Sequence, residues 1–313
     1  MTIDPNNLAG TAHVTFDDEF NSLSLWNGGS GTWATDWFYD ALNGAGTTLS
    51  SNGEQEWYVN NNYAATAGVT PWTVSNGMLN LTAAPASAAV QPLINNYKYT
   101  SGLLNTYHSF SQTYGYFEMN AKLPAGQGFW PAFWLLPENG GWPPELDIME
   151  VLGNDPSTLY TTVHTGAANN SFSQANHVVD LSAGFHTYGV DWEPDYITWY
   201  LDGHAVYKTA TPADMTGANA SPMYMILNLA VGGYWPGNAD STTHFPNSML
   251  VDWVRAYASG PDGATGSTGS STGGSGSTST GSGSGGTTST PGQTLTPPVE
   301  EPVEPVAPSG PDA

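Results

Sequence analysis

A chain of 313 residues with 27 acidic and 4 basic side chains carries a formal charge of −23, and it has no basic patch for nucleic acid or an anionic membrane surface. It contains no cysteine and no long apolar run, which excludes a disulfide framework, a thiolate zinc site and, within these residues, a spanning helix. Twelve Trp, sixteen Tyr and ten Phe supply a large core with rings to spare. The length suits one all-β domain, since such domains commonly run to about 200–250 residues undivided.

Residues 1–13 form an N-terminal segment with neither a basic n-region nor an apolar h-region, so no cleavable signal peptide is read there. Residues 14–260 alternate short β-prone runs with Gly, Asn, Pro and Ser, the pattern of a sandwich or barrel. The runs include Met78 to Thr82, Tyr116 to Ala121, Tyr160 to His164, Thr187 to Trp192, Ile197 to Leu201 and Tyr224 to Ala230. Asp202-Gly203, set between two such runs, predicts a two-residue hairpin. No stripe of 3.6-residue period survives the Gly, Pro and β-branched content, so long helices are not expected. From 261 to 313 the composition turns to Gly/Ser/Thr and then Pro/Glu, with nothing to bury; this reads as a disordered linker or tail. A tether of this kind suits attachment to a further C-terminal domain.

Chemistry concentrates in Pro143-Pro144-Glu145-Leu146-Asp147-Ile148-Met149-Glu150-Val151. Glu145 and Asp147 share one face of a plain strand, while Leu146 and Ile148 face a core. The third acid then arrives one residue late, at Glu150. A β-bulge supplies that one residue and returns Glu150 to the face of the other two. Three like charges on one face with no local base are costly in a purely structural strand. Glycoside hydrolysis requires such carboxyls, about 5–5.5 Å apart for retention and about 6.5–9.5 Å for inversion. An extended strand separates the outer glutamates by roughly 13–16 Å at Cα, at about 3.3 Å per residue. A bulge and two inward-leaning side chains narrow that gap, and the spacing alone admits either outcome.

This stretch resembles the bulged Glu-x-Asp-x-x-Glu motif of glycoside hydrolase family 16. The resemblance runs over roughly residues 14–257, through Tyr114-Gly115-Tyr116-Phe117-Glu118, Trp130-Pro131-Ala132-Phe133-Trp134, Leu227-Asn228-Leu229-Ala230-Val231-Gly232-Gly233 and Asp252-Trp253-Val254-Arg255. It is strongest toward rhizobial succinoglycan-cleaving endo-glycanases, with laminarinases next. It implies a β-jelly roll of two packed antiparallel sheets, one lining an open cleft. It also implies a retaining endo-β-glycanase acting on β-1,3- or mixed β-1,3/1,4-linked polysaccharide, with Glu145 as nucleophile, Glu150 as acid/base and Asp147 as helper. A laminarinase, a transglycosylase and a non-catalytic polysaccharide-binding module on the same fold are the alternatives.

Sugar rings present C–H faces that stack on aromatic rings, so Trp134, Trp142, Trp192 and Trp235 are expected in the cleft, and Trp130 and Trp253 in packing. The resemblance adds Glu54, Tyr58, Asn228 and His164 as hydrogen-bonding partners, and leaves Glu56 without a role. It places a structural calcium ion at Glu19, the carbonyl of Gly53 and Asp252; catalysis itself needs no cofactor. Many laminarinases carry arginine where this chain has Leu103 and Tyr116, so their subsite pattern does not transfer. A monomer acting outside the cell is expected, with a C-terminal export signal beyond residue 313.

Overall fold

Burial alternates along some runs, as over Met78–Pro85, and is continuous along others, as over Met223–Val231, which is covered on both faces. The computed structural model describes residues 3–36, 48–166 and 170–260, all within the first of two units into which the chain divides, Met1–Ala264. The tail expected over 261–313 lies outside the described residues. The strands in chain order are β1 (Ala12–Asp18), β2 (Glu56–Tyr58), β3 (Trp72–Ser75), β4 (Met78–Pro85), β5 (Tyr99–Ser101) and β6 (Leu103–Asn105). Next come β7 (Gly115–Lys122), β8 (Phe129–Pro137), β9 (Glu145–Leu152), β10 (Asp155–Thr165) and β11 (Asn170–His177). The last are β12 (His186–Trp192), β13 (Tyr196–Leu201), β14 (His204–Ala210), β15 (Met223–Val231) and β16 (Asn247–Ser259).

They form two sheets, and the protein is an all-β jelly roll. The ten-stranded sheet runs β14-β13-β12-β7-β16-β4-β5-β2, with β1 on β16 and β3 on β4. The six-stranded sheet runs β11-β10-β9-β8-β15-β6. Pairing is antiparallel except between β2 and β5, which are parallel, a departure from the wholly antiparallel sheets expected. Among the described residues the one α-helix is the four-residue turn Leu8–Thr11, and none is long and apolar enough to cross a membrane. The Asp202-Gly203 hairpin forms as expected, with φ of 51° and 74° and Leu201 paired to His204. Asn76-Gly77 makes the same turn between β3 and β4, with φ of 55° and 71°.

The core lies between the sheets. Phe117, Met119, Tyr188, Val190, Trp192 and Trp199 enter it from the larger sheet, and Phe133, Leu135, Leu146, Ile148, Met149, Val163, Met225 and Leu227 from the smaller. The intervening residues of β8 and β15, among them Ala132, Trp134, Leu136, Tyr224 and Ile226, face the other way and make a second cluster.

The expected bulge is in β9. Ala132 of β8 opposes Glu150 and Phe133 opposes Met149, yet Trp134 opposes Asp147, so Ile148 is the extra residue. The β10 side shows the same slip, with Tyr160 opposite Glu150 and Thr162 opposite Asp147. Leu146, Ile148, Met149 and Val151 are all essentially unexposed. Two consecutive side chains therefore enter the core, and Glu150 rejoins Glu145 and Asp147 on the opposite face.

A bulge breaks the ladder, and a buried carbonyl without a donor is costly. Here the indole Nε1–H of Trp199, from the opposite sheet, donates to the Asp147 carbonyl oxygen at 2.7 Å. Trp199→Phe keeps most of the ring and removes this donor. Urea unfolding should show a loss of about 1–3 kcal/mol, the cost of an unsatisfied buried acceptor. An unchanged unfolding midpoint contradicts this account of the bulge.

Candidate active site

The face of the six-stranded sheet turned away from the core gathers side chains from β8, β9, β10 and β15. Glu145 opposes His164 in register, and the His164 Nε2 lies 3.6 Å from Glu145 Oε1 and 3.3 Å from Asp147 Oδ2. The second ring nitrogen, Nδ1, is 2.7 Å from Ser171 Oγ. Trp142, from the loop before β9, donates its indole N–H to Glu145 Oε2 at 2.7 Å. Trp130 donates in the same way to Glu150 Oε1 at 3.0 Å. Each glutamate thus holds one indole N–H, and Asp147, only 3% exposed, lies between them against the histidine.

Burial pushes the Glu145 carboxyl up to about 7, and the neighbouring Asp147 charge pushes the same way, against His164 and the Trp142 hydrogen bond. Glu150 is driven well above the usual carboxylate range, again by burial first and then by Asp147. Burial pulls His164 down, but the close contact with Asp147 and the charges of Glu145, Asp147 and Glu150 outweigh it and raise the ring to about 10. The imidazolium is therefore charged at neutral pH and is the one cation within this acidic group. These groups titrate together, so their proton steps belong to the set.

The other expected sugar contacts divide. The Trp134 Nε1 donates to Asn228 Oδ1 at 2.8 Å, Asn228 Nδ2 donates to the Tyr58 hydroxyl at 3.0 Å, and that hydroxyl donates to Glu54 Oε2 at 3.5 Å. These four form one chain running from the acids to β2, with orientations already fixed. Glu56 has a structural part: its Oε2 accepts the Val231 N–H at 2.6 Å and ties β2 to the end of β15. Trp142 and Trp235 are 56% and 39% exposed and open to a ligand.

Trp192 is a correction. It is fully buried in the core from β12, in phase with Tyr188 and Val190, and touches no groove. Tyr116 likewise packs with Ile3, Ala12 and Tyr257, away from the three acids of β9, whereas Leu103 belongs to the same cluster as Trp134 and stands opposite Asn228. Trp130 was expected in packing; it stands on the acid-bearing face with Trp235 edge-on at 5.3 Å, and Tyr160 meets the same Trp235 at 4.7 Å. Tyr160, four residues before His164 on β10, shares its face by plain alternation and stands opposite Glu150.

Glu19, Gly53 and Asp252 do not fit calcium as a set. The Arg255 guanidinium contacts Glu19, supplying the positive charge a cation would bring. Gly53 stands against the Tyr234 ring, and Asp252 is the exposed extra residue of a bulge in β16. Among the described residues, the one cluster of three ligand-bearing His/Asp/Glu side chains is Glu145, Asp147 and His164. There His164 already supplies the counter-charge.

Two glutamates flanking an aspartate on one sheet face, their proton affinities raised by burial and with rings at hand, form the arrangement that glycoside hydrolysis uses. The chain belongs to glycosyl hydrolases family 16, whose sequence pattern matches residues 59–255. It is 51% identical over 245 residues to the endo-1,3-1,4-beta-glycanase ExsH of Rhizobium meliloti, covering 78% of this chain and 51% of that protein. The endo-1,3-1,4-beta-glycanase EglC of the same organism is 48% identical over 246 residues, with the same coverage. The chain thus spans about half the length of these curated relatives. The laminarinase catalytic domain of Thermotoga maritima superposes with a TM-score of 0.64 at 32% identity, over 79% of this chain and 98% of that one.

His164→Gln removes the cation that favours ionised Glu145 and Glu150. Both carboxyls then hold their protons more firmly, so both limbs of the pH profile of kcat/KM should move to higher pH. A profile that keeps its position contradicts a charged histidine at this site.

Proposed function

We propose that this chain is a retaining endo-β-glycanase that hydrolyses β-1,3- or mixed β-1,3/1,4-linked polysaccharide by double displacement. The observation that carries the reading is the bulge at Ile148, which puts Glu145 and Glu150 on one face with Asp147 between them. The names of the Rhizobium relatives favour a mixed-linkage substrate. The laminarinase likeness supports the β-1,3 component. A polymer of this class lies outside the cell, and the enzyme acts there.

In the first step a Glu145 carboxylate oxygen forms a bond to the anomeric carbon. The glycosidic C–O bond breaks, and the leaving oxygen takes the proton of Glu150. In the second step water gives its proton to Glu150 and its hydroxyl to the anomeric carbon, releasing Glu145. Asp147 and His164 hold Glu145 oriented, and the His164 charge keeps it ionised enough to attack. Trp142 and Trp235 provide stacking surfaces, and the buried Trp134–Asn228–Tyr58–Glu54 chain braces the sheet face beside them.

Glu145→Gln should leave no measurable turnover of lichenan, laminarin or succinoglycan. Glu150→Ala should lower turnover of the polymer by about 10²–10⁴, the usual range for a lost acid/base, and should spare the first step on an aryl glycoside with a good leaving group. Azide should then rescue the second step as a glycosyl azide of retained configuration. Near-normal activity of Glu145→Gln contradicts the assignment.

A further inference from the structure

We propose that Trp130 decides which oxygen of Glu150 carries the catalytic proton. The inference rests on Glu150 being the acid/base. Ala132 directly opposes Glu150, so Trp130, two residues along β8, is its diagonal neighbour on the same face. Diagonal neighbours lie about 7–8 Å apart, within reach of an indole but not of a short side chain. Its Nε1–H meets Glu150 Oε1 at 3.0 Å.

An indole nitrogen donates and never accepts. In a neutral carboxyl the hydroxyl oxygen is the poorer acceptor, so with Oε1 receiving the indole N–H the proton resides on Oε2. Without the indole the two oxygens are equivalent, and the carboxyl spends part of its time with the proton misplaced. The indole is itself held. It belongs to a strand, is half-buried, and has Trp235 edge-on against it, while Tyr160, directly opposite Glu150 on β10, packs edge-on against the same Trp235. Trp142, which makes the matching bond to Glu145, sits in a loop and is 56% exposed. Rigid support is what a proton donor needs, because a small misplacement at the reacting atom costs rate steeply.

The hydrogen bond also favours the ionised carboxylate of Glu150. Its loss therefore raises the proton affinity of Glu150 while spoiling proton delivery. A ring serving only as a sugar platform does neither.

The test compares Trp130→Phe with the full chain on two substrates. With lichenan, whose leaving sugar needs protonation, kcat/KM should fall by about 10-fold or more, a fraction of what general acid catalysis supplies. With a dinitrophenyl glycoside, which leaves unaided, kcat/KM should change by less than about 2-fold on the same scale. The alkaline limb of the profile on lichenan should move to higher pH. Where the Phe variant does not fold, 3-benzothienylalanine at position 130 replaces the ring N–H by sulfur at constant shape and gives the same readouts. Equal losses on both substrates, or no loss on either, overturn the proposal. Glu150→Ala is run alongside. If that variant loses the dinitrophenyl substrate and ignores azide, the acid/base reading has failed. If it behaves as an acid/base variant while Trp130→Phe shows no leaving-group dependence, only the role of Trp130 has failed.

Discussion

One inserted residue governs the site. Ile148 has no partner of its own on either neighbouring strand, and through it β9 sends two consecutive side chains into the core and an acid back out. The arrangement is held from both sides of the sheet. Ile148 and Met149 fill space between the sheets, and the Trp199 indole donates to the Asp147 carbonyl beside the bulge. The core and the acids are therefore one structure, and a change in packing beneath β9 is felt at the carboxyls above it.

Electrostatics completes what the backbone begins. Three carboxyls within one face would repel, yet burial and mutual charge instead raise the proton affinity of the two glutamates. His164 supplies the local positive charge in a chain with only four lysines and arginines. Two indoles from different elements then complete the distinction between the two glutamates. One comes from a loop onto Glu145 and the other from a strand onto Glu150.

Much of this was legible in the sequence because strand alternation is strict. The slip from position 149 to 150 could be read as a bulge, and Asp202-Gly203 as a hairpin, because each is a local rule with few exceptions. Asn76-Gly77 carries the same turn signal. The aromatic residues were harder. Trp192 and Trp130 both lie at the ends of β-prone runs, yet one is sealed between the sheets and the other bonds to Glu150. That difference depends on which sheet each strand joins and in which phase, and no single strand records it. Glu19 was equally illegible, since its partner Arg255 is more than two hundred residues away along the chain.

The central claim is that the bulge aims Glu145 and Glu150 at one glycosidic bond, Glu145 as the group that becomes covalently attached. A 2-deoxy-2-fluoro glycoside with a good leaving group slows the second step and lets that attachment accumulate. Peptide mapping by mass spectrometry of the trapped protein should find a single glycosyl group, on Glu145. A label on Glu150, or on any residue off this face of the sheet, contradicts the account.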